Sequence, residues 1–271
     1  VNLKIAFSTL ACPELGFGDI FATAKDFAFD GIEIRGIQKE LYAPRIPEFS
    51  PEQVAKTKAK LDAAGLEIPL LATAACLGGG AVADAVKETE DYIRLAGALN
   101  TPYIRLMVTP TPQPEEANIE QLTSVYQELC ETAARSGVTP LLETNGLLAD
   151  SNTMRQVMEN TRSENKGVLW DIHHPIRYFY ESPKTTCDNL GRYVKYLHIK
   201  DSAVVEGRIE YRMVGYGDLP ILDILRELGK VGYAGYVSLE WVRRWCPSLE
   251  EPGIVFAHFI YYMKHLQSQL S

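Results

Sequence analysis

Four residues able to bind a cation stand at the ends of the last four apolar runs that read as strands. They are Glu143 in Leu-Leu-Glu-Thr-Asn, Asp171 in Leu-Trp-Asp-Ile-His, His198 in Leu-His-Ile-Lys-Asp and Glu240 in Ser-Leu-Glu-Trp. A single strand-end glutamate is more often an ion-pair partner than a ligand. Four charged or chargeable groups in one register are different, because each loses hydration among apolar neighbours and is stabilised only by a partner or a shared cation. Three carboxylates and one imidazole form a mainly oxygen donor set that suits Mn2+, Mg2+, Co2+ or Zn2+, and geometry alone does not choose among these ions. The absence of thiolate argues against a purely structural zinc site.

These residues need a scaffold that brings distant strand ends to one point. Short β-rich runs alternate with amphipathic segments along the whole chain, and eight candidate strands are read: 3–8, 31–35, 68–73, 103–107, 139–143, 168–171, 194–200 and 236–240. After Ser50-Pro51, a capping serine, a proline in the first turn and Gly65 at the end predict one helix. Another is predicted from about Ala83 to Leu99. No Ser/Gly-rich linker or internal repeat interrupts residues 1–271, so one α/β domain is expected. Eight β/α units point to a (β/α)8 TIM barrel, whose reactive groups lie at the carboxyl ends of its strands. An open doubly wound sheet is disfavoured, because Thr9-Leu10-Ala11-Cys12-Pro13 stands where a glycine-rich phosphate turn would be. In a barrel the strand ends converge on the axis, and the four ligands would meet there.

Together, several short motifs resemble the xylose isomerase-like TIM barrel superfamily, the sugar phosphate isomerase/epimerase group related to AP endonuclease family 2. They are Ser8-Thr9-Leu10-Ala11-Cys12-Pro13, Asp30-Gly31-Ile32-Glu33-Ile34-Arg35, Asp171-Ile172-His173-His174-Pro175, His198-Ile199-Lys200-Asp201 and Ser238-Leu239-Glu240-Trp241. The resemblance spans almost the whole chain and implies the same four metal ligands. It further implies a sugar isomerase or epimerase in which Glu143 and Glu240 flank the reacting carbon and move protons through an enediolate. His174, three places after Asp171, matches a substrate-facing histidine of the family, and Arg208 or Arg212 corresponds to an arginine after the metal histidine. Lys200 shares a strand face with His198 and is expected to touch substrate or orient a ligand, and Glu33 and Arg35 share a face of the second strand. The side chain of His173 is expected to point away from that of His174.

Rival readings differ in chemistry. A dehydratase of an inosose or keto acid would use the same enolate and expel hydroxide. A sugar-binding barrel without catalysis would keep the ion and not exchange protons. A nuclease is disfavoured, since Thr73-Ala74-Ala75-Cys76 and Met107-Val108-Thr109 occupy places where a trinuclear site needs histidines, and the chain has only five. The net charge of −8 also disfavours nucleic acid as a partner. Arg105, Arg177, Arg208 and Arg212 could clamp a phosphate, but no glycine-rich cradle accompanies them, so a neutral sugar is preferred. The five cysteines form no C-x-x-C pair, which fits reduced thiols in a cytoplasmic protein, and no run reaches a membrane-spanning length. The apolar segment from Ile254 to Leu266 is expected either to cover the barrel or to pack against a second copy as a homo-oligomer.

Overall fold

The computed structural model describes residues 3–270; Val1, Asn2 and Ser271 of the predicted domain lie outside the described residues. Eight parallel strands form one sheet: β1 (Lys4–Ser8), β2 (Gly31–Glu33), β3 (Leu70–Cys76), β4 (Tyr103–Met107), β5 (Thr139–Glu143), β6 (Gly167–Asp171), β7 (Val194–Ile199) and β10 (Tyr236–Leu239). Their order is β2-β1-β10-β7-β6-β5-β4-β3. The remaining gap is closed by parallel bridges Gly31–Glu67 and Ile34–Leu71, with Ile34 N donating to Leu70 O at 3.1 Å and Ala72 N to Ile34 O at 2.8 Å. The fold is therefore a (β/α)8 TIM barrel, as the alternation predicts.

Helices α1 (Phe17–Asp26), α2 (Val54–Ala64), α3 (Val82–Leu99), α4 (Ile119–Ala134), α5 (Ser151–Asn160), α6 (His173–Phe179), α7 (Pro183–Leu190), α8 (Ile221–Lys230) and α9 (Pro252–Gln269) fill the connections. The expected role of Ser50 is corrected. Helix α2 starts at Val54, and the Ser50 carbonyl closes a preceding turn by accepting from Gln53 N and Val54 N at 2.9 and 2.8 Å. Gly65 does end it, at φ 68°. Helix α9 directs Phe256, Phe259, Ile260 and Met263 into the same chain, where Phe256 packs on Phe7, Phe27 and Phe29, and leaves Tyr261 exposed. Among the described residues no helix is long and apolar enough to cross a membrane.

Period-two alternation divides the strand residues between two apolar regions. Residues facing the helices join the main core, whereas Ala6, Leu70, Ala72, Leu141, Leu169, Tyr196 and Tyr236 form a separate plug inside the barrel. Two residues further along β5, β6, β7 and β10 lie Glu143, Asp171, His198 and Ser238. The plug is thus the floor on which the polar layer stands.

One element was not anticipated. Directly after β7, β8 (Asp201–Val205) and β9 (Arg208–Arg212) form an antiparallel hairpin beyond the barrel rim. Glu206 and Gly207, at φ 49° and 77°, make the two-residue turn, a backbone form matched to strand twist. The Glu-Gly pair between two β-rich runs was its only sequence signal.

Candidate metal centre

Register sets the centre. Asp171 is the lateral partner of His198, which is the partner of Ser238, and Glu240 follows two residues later on the same face. Thr144 locks β5 to β6 at this level: its Oγ1 accepts from Asp171 N at 2.9 Å and donates to Asp171 O at 3.1 Å. One donor atom from each of Glu143, Asp171, His198 and Glu240 lies within 4.8 Å of the others, and all four side chains are buried. These are the four residues singled out from sequence.

His198 shows how the centre is polarised. Its Nε2 lies 3.0 Å from Glu33 Oε2, which also accepts from Ser238 Oγ at 2.8 Å. Its Nδ1 has no hydrogen-bond partner among the described residues, although it is buried and faces Glu143 Oε1 and Glu240 Oε1, both at 3.4 Å, and Asp171 Oδ2 at 3.9 Å. An imidazole that gives its Nε2 proton to a carboxylate presents a lone pair at Nδ1, the state required of a metal ligand. Without a cation, burial disfavours an imidazolium, but Glu33 and Glu240 outweigh that and raise the His198 pKa well above its ordinary value. The donor set, the orphaned nitrogen and the short spans fit a single divalent ion.

Two further cations border these carboxylates. Arg105, fixed through Nη2 to Thr73 O at 2.8 Å, places Nη1 3.3 Å from Glu143 and 3.5 Å from Glu240. Lys200 pairs with Asp171 and, at 2.5 Å, with Glu240. Burial alone would raise both glutamate pKa values; Arg105 and His198 together outweigh it at Glu143, bringing it to about 2, and Lys200 leads the lowering at Glu240. Both are thus held ionised. For Lys200 burial works against the charge, and Asp171 and Glu240 reverse it, raising the pKa well above the usual value.

The structure brings His174 and Lys200 to the same place as Glu143 and Glu240: all four line a cavity of about 510 Å3 that includes Tyr211 of the hairpin. His174 Nδ1 lies 2.8 Å from the Thr144 carbonyl, so that nitrogen carries the proton, and Nε2 lies 3.7 Å from Asp171. Burial depresses its pKa and keeps the ring neutral. His173 is engaged elsewhere, with Nε2 3.0 Å from Ser202 Oγ in the hairpin. It can also be grouped with Asp171 and His174 as a three-residue donor set, but that set shares Asp171 with the larger one.

The arginines divide differently from the expectation. Arg212 is not brought to the cavity; it pairs with Glu210 on β9 and its side chain is 41% exposed. Arg177 binds Ser202 and Asp218, and Arg208 is exposed on the hairpin. Arg105 sits among carboxylates instead of clamping a phosphate. The sequence reading gave Glu33 a face but no role. Its signal was a buried carboxylate in Gly-Ile-Glu-Ile, just as Arg105 was a charge in the middle of Tyr-Ile-Arg-Leu-Met.

Fold and site together define a (β/α)8 barrel with a buried carboxylate and histidine centre at the carboxyl ends of its strands. The chain belongs to the xylose isomerase-like TIM barrel family, whose model matches residues 21–257. It is 24% identical to fructoselysine 3-epimerase of Escherichia coli O157:H7 over 259 residues, covering 89% of this chain and 90% of the relative. Among solved structures it resembles D-psicose 3-epimerase from Clostridium cellulolyticum H10, crystallised with D-tagatose, at TM-score 0.78 and 16% identity over 99% of this chain and all of the other. It also resembles the IOLI protein with a bound zinc atom, at TM-score 0.77 and 15% identity over 99% and 98% of the two chains.

Proposed function

We propose that the chain is a divalent-metal-dependent sugar epimerase or isomerase. The observation that carries this reading is the pair Glu143 and Glu240, two buried carboxylates approached from between by Arg105 Nη1 and each 3.4 Å from the unpartnered His198 Nδ1. The 24% identical fructoselysine 3-epimerase supports it. Glu143, Asp171, His198 and Glu240 would hold the ion, with Mn2+ first among Mn2+, Mg2+, Co2+ and Zn2+. When bound, the cation supplies positive charge beside the substrate oxygens and stabilises an enediolate.

The protein's own groups do the rest. One glutamate removes the proton on the carbon beside the carbonyl. The opposite glutamate relays a proton from solvent to the other face, which inverts that carbon, and the first glutamate returns its proton to solvent. Neutral His174 contacts a substrate hydroxyl through Nε2, because its Nδ1 proton is committed to Thr144. Lys200 holds Asp171 and Glu240 in register and presents its remaining N–H to the substrate. The alignment of donors before substrate arrives lowers the reorganisation needed at the transition state. Arg212, half exposed and outside the cavity, is dropped from the proposed substrate contacts.

The test is proton exchange. Mn2+-loaded protein incubated with a panel of ketoses in D2O should place deuterium on the carbon beside the carbonyl and generate the epimer, read by NMR. Glu240→Gln should reduce exchange at least about 1000-fold while the circular dichroism spectrum is retained, since a base is lost and no core packing. Turnover unaffected by both EDTA and Glu240→Gln would defeat the mechanism. Loss of water without epimer formation would replace epimerisation by dehydration on the same enolate.

A further inference from the structure

Arg35 stands two residues beyond Glu33 and on the same face, one layer closer to the barrel mouth. Its position is built in. Arg35 N donates to Thr9 Oγ1 at 2.9 Å, and the chain turns at once through Gly36, at φ 101°, where a Cβ would lie 2.7 Å from the Glu40 carbonyl. Among the described residues the guanidinium makes one hydrogen bond, a long one from Nη1 to Leu41 O at 3.4 Å. The side chain lines the same 510 Å3 cavity as Glu143, Glu240, His174 and Lys200, and the residue is 8% exposed.

Three cations line this cavity, and two of them have carboxylate partners. Arg105 faces Glu143 and Glu240, and Lys200 faces Asp171 and Glu240. Arg35 forms no ion pair among the described residues; Glu88, which favours its charge from farther away, is hydrogen bonded to Ala74 N at 2.7 Å. Burial, reinforced by Arg105, lowers the Arg35 pKa to about 10, so it remains a cation at neutral pH. Lys200, Arg105 and a divalent ion, once bound, would match the four central carboxylates Glu33, Glu143, Asp171 and Glu240 and leave the charge of Arg35 over. A buried arginine without a counter-charge, open to a cavity, is arranged for an anion that arrives from outside.

We propose that Arg35 receives an anionic group on the substrate, a carboxylate or a phosphoryl group, and that the cavity therefore selects acidic over neutral ketoses. This rests on the reading of the centre as one that acts on a ketose, and it reverses the sequence-based preference for a neutral sugar. Glu143 and Glu240 repel the acidic end while Arg35 attracts it, so one charged contact also fixes which carbon lies between the glutamates. Leu10, Met107 and Val242 line the same cavity and lower the local polarity, which strengthens that contact.

Calorimetric titration of Mn2+-loaded protein with D-fructose, D-fructose 6-phosphate and 5-keto-D-gluconate compares neutral, phosphorylated and carboxylated ketoses that share one carbon-chain length. At least one acidic ketose should bind about tenfold or more tightly than D-fructose, and which one does identifies the anion. Arg35→Met should remove that preference by weakening the acidic ketose about tenfold or more; Arg35→Lys should keep part of it. Equal affinity of the wild type for all three, no binding of any at millimolar concentration, or a preference that survives Arg35→Met would overturn the proposal. The wild-type comparison stands even if a variant folds poorly. Deuterium exchange in the same samples separates the two readings. Acid selectivity without exchange into any sugar sinks epimerisation and spares Arg35, whereas exchange without selectivity does the reverse.

Discussion

Arg35 apart, the charged side chains that line the cavity are held by named counter-charges, and the one-sided pairing of His198 is the most informative. Its bond to Glu33 leaves the opposite nitrogen toward three carboxylates, and a hydrogen-bonded carboxylate makes an imidazole a stronger ligand. Glu33→Gln keeps the size and one acceptor but removes the negative charge. Mn2+ affinity measured by calorimetry should fall about tenfold or more. Unchanged affinity would show that Glu33 is a packing residue and not the group that orients His198.

The hairpin extends the barrel rim and brings Tyr211 to the cavity. Asp201, at its root, is buried, and its carboxylate accepts backbone N–H bonds from Ser202 at 2.8 Å, Gly215 at 2.9 Å, Gly217 at 3.0 Å and Leu219 at 3.3 Å. One side chain thus ties the start of β8 to the loop that returns to α8, and carries Tyr211 to the cavity. Asp201→Ala would strand those donors at a desolvated site, with an expected loss of about 3 kcal/mol in urea unfolding. A loss below about 1 kcal/mol would mean that water replaces the carboxylate without strain. Glu240→Gln, by contrast, should change exchange more than stability, so the two variants separate scaffold from chemistry.

For the molecule as a whole, buried thiols set an alkaline limit. Cys12 and Cys130 are almost fully buried, and burial pushes both pKa values from 9.0 to about 12. The unfolded chain releases these protons near pH 9 and the native chain does not. Their contribution is therefore intact below pH 9 and is lost as pH rises toward 12. Each thiol should lower the unfolding free energy by about 1 kcal/mol at pH 10 under reducing conditions. Urea titrations at pH 8 and pH 10 check this: a Cys12→Ala, Cys130→Ala double variant should have a flatter pH dependence, and an identical one would contradict the assignment. Cys76, only part-buried, should be alkylated before either of them.

Alternation along the chain determined the barrel and the inward face of each strand, because period two and apolar content are local properties. It placed Tyr103–Met107 and Thr139–Glu143 with their observed bounds and singled out Glu143, Asp171, His198 and Glu240, since charges among apolar strand residues are conspicuous in any order. It also marked Lys200, and the family resemblance marked His174; both line the cavity. Proximity between strands is not local. Only closure of the sheet decided that Glu33 meets His198 across 165 positions, that Arg105 stands between two glutamates, and that Arg212 turns away on a hairpin. The missing partner of Arg35 belongs to the same category: charge balance is a property of neighbours in space, and the barrel chooses those neighbours.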